Sequence, residues 1–438
     1  MTTKNLSKTV GFISLGCDKN RVDTESIITT LFADGFRVVG DAEEAQIIII
    51  NTCAFLKTAR DEAREVMLEM LELKKSTAEK IIVAGCLCQM DEGLKGQYPE
   101  IDIFITPKDY ADISKIIYGL YGVTYKGPNG VPDYRKITTP GHYAYLKIAE
   151  GCDNHCSYCM IPSIKGKYVS EPIESILKTA QILAKQGVKE LILVAQDTTR
   201  YGLDLYKKQA LPELLQKLSK IRGIEWIRIH YCYPEMMTPP IIDEIANNSK
   251  VVKYLDIPLQ HISTKILKSM NRASNEQSIK LVIEMLRSKI PNIILRSTFI
   301  VGFPGETKQD FKMLLKFLKE YKLDAVGFFA YSNEEGTTSF EFDGQVGEKE
   351  KNKRLKAAYK LQNKISLELN KKLIGTIQTM LCDEYDELNG LSFGRSYGQS
   401  PDVDLEIIVK GKCKPGEFVM VRIVDIETES GSLIAELA

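Results

Sequence analysis

Residues 150–159 read Glu150-Gly151-Cys152-Asp153-Asn154-His155-Cys156-Ser157-Tyr158-Cys159. The spacing is C-x3-C-x2-C. Three thiolates so spaced can fold round one cubic iron–sulfur cluster and ligate three of its four irons. No fourth cysteine lies nearby in sequence, which leaves one iron open to an exogenous ligand. Zinc is the competing reading: Cys152, Cys156 and Cys159 with His155 would make a Cys3His set. His155 adjoins Cys156, so joint tetrahedral ligation is awkward.

The motif directly follows an apolar run, Tyr145 to Ala149, that reads as a strand. Five more candidates follow: 191–196, 226–231, 254–258, 293–300 and 325–331, most of them separated by helical patterns. Six βα units over about 190 residues fall short of a closed eight-unit barrel of ~250. A partial, open barrel over 142–370 is expected, with its chemistry at the C-terminal strand ends. Before it, residues 122–141 hold four Gly and three Pro and read as a linker.

Upstream, 8–121 alternates strands and helices, as a parallel α/β sheet does. Val10–Leu15, Ile47–Asn51, Ile81–Gly85 and Ile101–Ile105 are the strands; 22–32 and 56–75 are helical. Downstream, 348–374 is a Lys-rich helix, read as a solvated connector ending at Gly375. Residues 371–438 hold about five short strands with turn signals, which predicts a small antiparallel OB-like barrel.

Three further cysteines occupy equivalent places. Cys17 ends VGFISLGC, Cys53 ends IIIINTC and Cys86 ends IIVAGC, each just past a predicted parallel strand. Neighbouring strands lie ~5 Å apart, so their ends can converge on one crevice. That predicts a second three-thiolate site. Alone, each cysteine reads as a small buried residue. Cys88 competes with Cys86, which is preferred because it directly follows Gly85. Cys232, Cys382 and Cys413 read as isolated thiols.

Composition bounds the rest. The 438 residues are 44% hydrophobic and 26% charged, so most of the chain has a core to bury. Lys+Arg and Asp+Glu are both 58, which excludes a chain-wide attraction to nucleic acid or membrane. No run of ~18 apolar residues occurs and the start lacks an apolar signal core, so a cytoplasmic protein without a membrane partner is expected. A monomer is the default.

The cysteine motif on this expected fold resembles the radical S-adenosylmethionine (SAM) superfamily. With the second cysteine set, the α/β domain and the β tail, nearly the whole chain resembles the radical SAM methylthiotransferases, whose tail is called a TRAM domain. The resemblance implies two [4Fe–4S] clusters, one on Cys152, Cys156 and Cys159, the other on Cys17, Cys53 and Cys86. It implies that the barrel cluster cleaves SAM to a 5′-deoxyadenosyl radical, which abstracts a hydrogen. It further implies that the auxiliary cluster holds a sulfur that a second SAM methylates, and that an electron donor supplies the reductant. Tyr158 is implied near the adenine and Gln196, beside Asp197, near the methionine amino group. Gly302, in Gly302-Phe303-Pro304-Gly305-Glu306-Thr307, resembles the family's turn beside the adenine. Arg296 is a candidate for the carboxylate, its alternative being a barrel-interior ion pair. His230 and His261 read as structural.

Members of the family modify a transfer-RNA adenosine or an aspartate β-carbon of small-subunit ribosomal protein number twelve. Ser14-Leu15-Gly16-Cys17-Asp18-Lys19-Asn20-Arg21-Val22-Asp23-Thr24-Glu25 resembles the ribosomal-protein branch, as do Pro162-Ser163, Gly394-Arg395-Ser396-Tyr397 and Pro401. Lys165-Gly166 departs from the usual Arg-Gly, and Ser170-Glu171-Pro172 from Ser-Arg-Pro. Residues 371–438 carry seven basic and twelve acidic side chains, a net of −5. An RNA-gripping barrel should be basic; an acidic one suits a basic ribosomal protein.

Overall fold

The computed structural model describes residues 6–128, 130, 132–427 and 430–438. The chain divides into two units. One comprises Met1–Thr138, Gly151–Asp153 and Cys159–Lys167; the other Thr139–Glu150, Asn154–Tyr158 and Tyr168–Ala438. Asn129 and Val131, in the expected linker, lie outside the described residues.

The first unit holds β1 (Thr9–Ser14), β2 (Arg37–Val38), β3 (Ile47–Thr52), β4 (Lys80–Gly85) and β5 (Ile103–Ile105) in a parallel sheet of order β2-β1-β3-β4-β5. The run Ile47–Ile50 is continuous because both sheet faces are covered. Ile48, Ile50, Ile81 and Val83 pack toward Ala63, Met67 and Met70 of the helix Lys57–Glu72. Ile47, Ile49, Ile82 and Ala84 pack toward Ile27 and Leu31 of Asp18–Ala33 and Ile113 and Ile117 of Ile113–Leu120. The two-residue edge strand β2 was too short to read in sequence. Residues 135–138 are not a free tether: Arg135 pairs with Glu25 at 2.5 Å and Thr138 N donates to Glu25 Oε1 at 2.8 Å.

In the second unit β6 (Tyr143–Lys147) leads to a small antiparallel pair, β7 (Ala149–Glu150) with β8 (Val169–Ser170). Then come β9 (Glu190–Val194), β10 (Trp226–Ile229), β11 (Val251–Asp256), β12 (Ile294–Val301) and β13 (Ala325–Ala330). Their sheet is β13-β12-β11-β10-β9-β6, six parallel strands in sequential order with two open edges. This is the partial barrel the strand count requires.

The tail strands β14 (Ile377–Asp386), β15 (Leu391–Arg395), β16 (Ile407–Lys410), β17 (Phe418–Ile426) and β18 (Leu433–Leu437) close into a barrel. It is not wholly antiparallel as expected: β16 and β18 pair in parallel. The helix Glu348–Asn370 also corrects its reading as a solvated connector. Lys351, Arg354, Ala358, Gln362 and Ile365 recur at helical spacing and are buried. The long basic stems lie along the protein while their heads find partners: Lys351 meets Glu348 at 2.7 Å, and Arg354 meets Glu350 at 3.0 Å.

The tail also fills the open barrel. Arg395 pairs with Glu190 at 2.6 Å, and Glu190 in turn with Arg228 at 2.7 Å. Arg395 grips Asp383 through two nitrogens at 2.7 and 2.9 Å, and His142 reaches the same carboxylate at 2.7 Å. Farther along, Tyr145 donates to Asp402, Tyr254 to Asp404, and His230 bonds Ser400 at 2.8 Å. Residues from β6, β9, β10 and β11, with His230 just past β10, thus meet the stretch 395–404. No helix of the described residues is long and apolar enough to cross a membrane.

Candidate active site

The first cysteine set lies at the C-terminal edge of β1, β3 and β4. Parallel register aligns Ser14 with Asn51 and Thr52 with Gly85, so the three following turns sit side by side. In a sheet of this order the crevice opens where strand order reverses, beside β1 and β3. Cys17 is exposed and starts the helix Asp18–Ala33; Cys53 is half-buried; Cys86 is buried and opens the short helix Cys86–Met90. Gly16 is at φ +91°, and a Cβ there would lie 2.6 Å from Cys53 Cβ and 3.1 Å from its Sγ. Only glycine lets these two turns approach so closely. Burial pushes the Cys53 thiol up and neighbouring Cys17 adds to this, while Lys165 opposes it.

Asn20 ties the turns together. Its Nδ2 donates to Leu15 O at 3.1 Å and Thr52 O at 3.0 Å, and its Oδ1 lies 3.8 Å from Cys86 Sγ. Asn51 Nδ2 donates back to Asn20 O at 3.0 Å. Asn20 stood in the quoted motif, but only strand register reveals this role. Cys88 faces elsewhere: its Sγ donates to Val83 O at 3.4 Å, and burial pushes its thiol up to about 12. Lys165, where arginine is usual, has its side chain covered and lies 3.4 Å from Asp23 of the first motif. Glu171, the other departure, is exposed and engages through its backbone.

The second set follows β7. Gly151 is at φ +80°, and a Cβ there would sit 2.1 Å from Lys167 O. Cys152 N donates to Gly166 O at 3.1 Å, and Ile161 N donates to Cys159 Sγ at 3.4 Å. Gly151→Ala is therefore expected to cost about 1–3 kcal/mol of local strain. It should cut iron uptake while leaving overall secondary structure intact, as metal analysis beside circular dichroism would show. Among the described residues no three Cys, His, Asp or Glu side chains gather closely enough for a single metal ion. The ten cysteines form no disulfide.

Gln196, just past β9, donates from Nε2 to Glu150 Oε1 at 2.6 Å, and its Oε1 is buried without a donor. Beside it, buried Asp197 accepts from Thr199 at 2.6 Å and from Asn154 at 3.1 Å, and Arg200 donates to Asn154 at 3.1 Å. This net bracing the cysteine loop went unread in sequence. Tyr158 packs by Met270 and Phe303, edge-on to Phe303 at 6.5 Å. Gly302 N and Phe303 N both donate to Glu306 Oε2, which fixes that turn. Arg296 is engaged by two carboxylates, Asp256 at 3.1 Å and Asp404 at 3.4 Å, the barrel-interior ion pair that was its alternative. His261 is buried, accepts from Ser263 N at 2.9 Å, and is held neutral by burial, its pKa down to about 4. A cavity of about 520 Å³ lined by Lys189, Trp226 and Phe418 lies at the N-terminal strand ends, away from this chemistry.

A cysteine loop of this spacing on a six-stranded open barrel defines a radical SAM enzyme. Residues 146–318 match the radical SAM superfamily model, 9–106 the uncharacterized protein family UPF0004, and 374–437 the TRAM domain. The fold is similar to that of the radical SAM methyltransferase TsrM from Kitasatospora setae, with TM-score 0.57 at 13% identity over 85% of this chain and 81% of that one. The ribosomal protein uS12 methylthiotransferase RimO of Caldanaerobacter subterraneus subsp. tengcongensis is 46% identical over 95% of this chain and 98% of that protein. That of Clostridioides difficile is 43% identical over 97% and 98%. The chain belongs to the RimO family of radical SAM methylthiotransferases.

Proposed function

We propose that this chain places a methylthio group on the β-carbon of an aspartate of ribosomal protein uS12, in the cytoplasm and with electrons from an external donor. The observation that carries this reading is the alignment of Cys17, Cys53 and Cys86 at the ends of three adjacent strands. It supplies a second three-thiolate set in addition to the loop of Cys152, Cys156 and Cys159. Both sets are soft thiolate donors, which suit iron–sulfur clusters. When bound, two [4Fe–4S] clusters and SAM supply a carbon-centred radical and a transferable sulfur, since an unactivated C–H bond resists acid–base chemistry.

The residues have separable tasks. Gln196 Oε1, a buried acceptor without a donor, fits an ammonium such as that of methionine. Glu150 orients it, itself held by Lys147 at 2.6 Å. Tyr158 and Phe303 offer an apolar wall for a flat base. Asn20 fixes the turns that carry Cys17, Cys53 and Cys86. The acidic tail supports a basic protein substrate over RNA.

The test is mass spectrometry of uS12 and total transfer RNA from a deletion host with and without this chain. A methylthio gain on one aspartate of uS12, with transfer RNA unchanged, is expected. A gain on adenosine alone would overturn the substrate assignment.

A further inference from the structure

Arg272 is the least satisfied buried cation among the described residues. Its side chain is 2% exposed, yet Nε and Nη1 have no hydrogen-bond partner. Nη2 makes only long contacts, to Pro258 O at 3.4 Å and Glu235 Oε2 at 3.5 Å. The guanidinium lies over the Tyr233 ring at 4.2 Å. Burying an arginine with two donor nitrogens unused costs several kcal/mol unless a nearby anion compensates.

The preceding residues point to that anion. Asn271 Nδ2 donates to His155 O at 2.7 Å, Ser157 N donates to Met270 O at 3.0 Å, and Ser157 Oγ donates to Ser269 O at 2.8 Å. Cys156 lies between the two residues so held. The segment Ser269–Asn271 thus straps the cysteine loop, and Arg272 is the next residue. Asn271 sits at φ +55°, a left-handed turn that a non-glycine residue adopts at some cost. A guanidinium keeps its charge even in a protein interior.

We propose that Arg272 is a positioning residue for the radical-generating cluster: a buried counter-cation, next in sequence to the segment that straps the cysteine loop, that raises the cluster's reduction potential. The inference rests on the assignment of Cys152, Cys156 and Cys159 as that cluster's ligands. A cluster on three thiolates is anionic, and one-electron reduction adds negative charge. A fixed cation in a poorly solvated site stabilises the reduced form more than the oxidised one. Arg272 therefore eases the arrival of the electron without touching the reacting atoms.

The test is a redox titration of the reconstituted full chain followed by electron paramagnetic resonance, without SAM. The barrel cluster is identified by the change in its signal when SAM is then added. Arg272→Gln is expected to lower its reduced-to-oxidised ratio at a fixed poise about tenfold, ~59 mV for one electron. Arg272→Lys should restore most of this. Glu235→Gln should act oppositely and raise that ratio about two- to threefold, which keeps the question answerable if Arg272→Gln does not load iron. An unchanged potential in Arg272→Gln at normal iron and sulfide content, or no rise in Glu235→Gln, overturns the proposal. An unchanged potential with weakened SAM binding would also overturn it and make Arg272 a ligand contact. Absence of any SAM-sensitive cluster in the unaltered chain overturns the ligand assignment, and the proposal with it.

Discussion

Cys86→Ala is expected to emerge from iron–sulfur reconstitution with about half the iron of the unaltered chain, and Cys88→Ala with all of it, since the two three-cysteine sites would hold clusters of equal size. Cys86 follows β4 directly, and its Sγ lies 3.8 Å from Asn20 Oδ1, the residue that also holds the turns of Cys17 and Cys53. The Cys88 thiol is folded back on Val83 O. Cys86→Ala should still cleave SAM, because the loop of Cys152, Cys156 and Cys159 is unaltered, while methylthio transfer falls to background. Iron analysis and the ratio of 5′-deoxyadenosine to methylthiolated product check both halves. Loss of iron in Cys88→Ala with retention in Cys86→Ala would exchange the two residues in the ligand set.

The largest stability effect is expected at Arg395. Replacing it with Ala leaves partly buried Asp383 without its two-nitrogen partner and fully buried Glu190 with Arg228 alone. Removing one member of a buried ionic network costs about 3–5 kcal/mol, readable as a lower urea midpoint. The same network sets an acid limit. Burial alone would push both carboxyls up, yet Arg395 and Arg228 hold Glu190 below its ordinary value, and His142 and Arg395 do so for Asp383. A depressed carboxyl adds stability above its unfolded pKa, ~4, and loses it as the pH falls through the folded value. The unaltered chain should therefore lose stability below pH ~4 more steeply than Arg395→Ala.

Sequence was most informative where one residue type had to serve a repeated local geometry. Buried parallel strands read as apolar runs, and a cysteine just past three of them marked one crevice because register does the rest. The C-x3-C-x2-C loop needed no long-range knowledge at all. What stayed hidden depends on partners far away in the chain. Arg296 looked available until Asp404, more than a hundred positions on, was placed beside it. Arg272 carried no pattern, since its significance lies in the three hydrogen bonds its neighbours make to the cysteine loop. The helix Glu348–Asn370 looked solvated because lysines and arginines hide apolar stems that composition counts as charge. The parallel pair inside the tail barrel was equally invisible, as strand order has no local signature.

The filling of the open barrel by the tail has a consequence for biosynthesis. Glu190 enters the growing chain 205 positions before Arg395, and His142 precedes Asp383 by 241. Until those late residues leave the ribosome, Glu190 has Arg228 as its ionic partner but not Arg395, and His142 lacks Asp383. Contacts of such high sequence separation form slowly, and a chain waiting for them exposes sticky surface. The second unit is therefore completed only after most of it has been synthesised, and a nascent barrel halted before residue 383 lacks the ionic partners that Asp383 and Arg395 bring to His142 and Glu190.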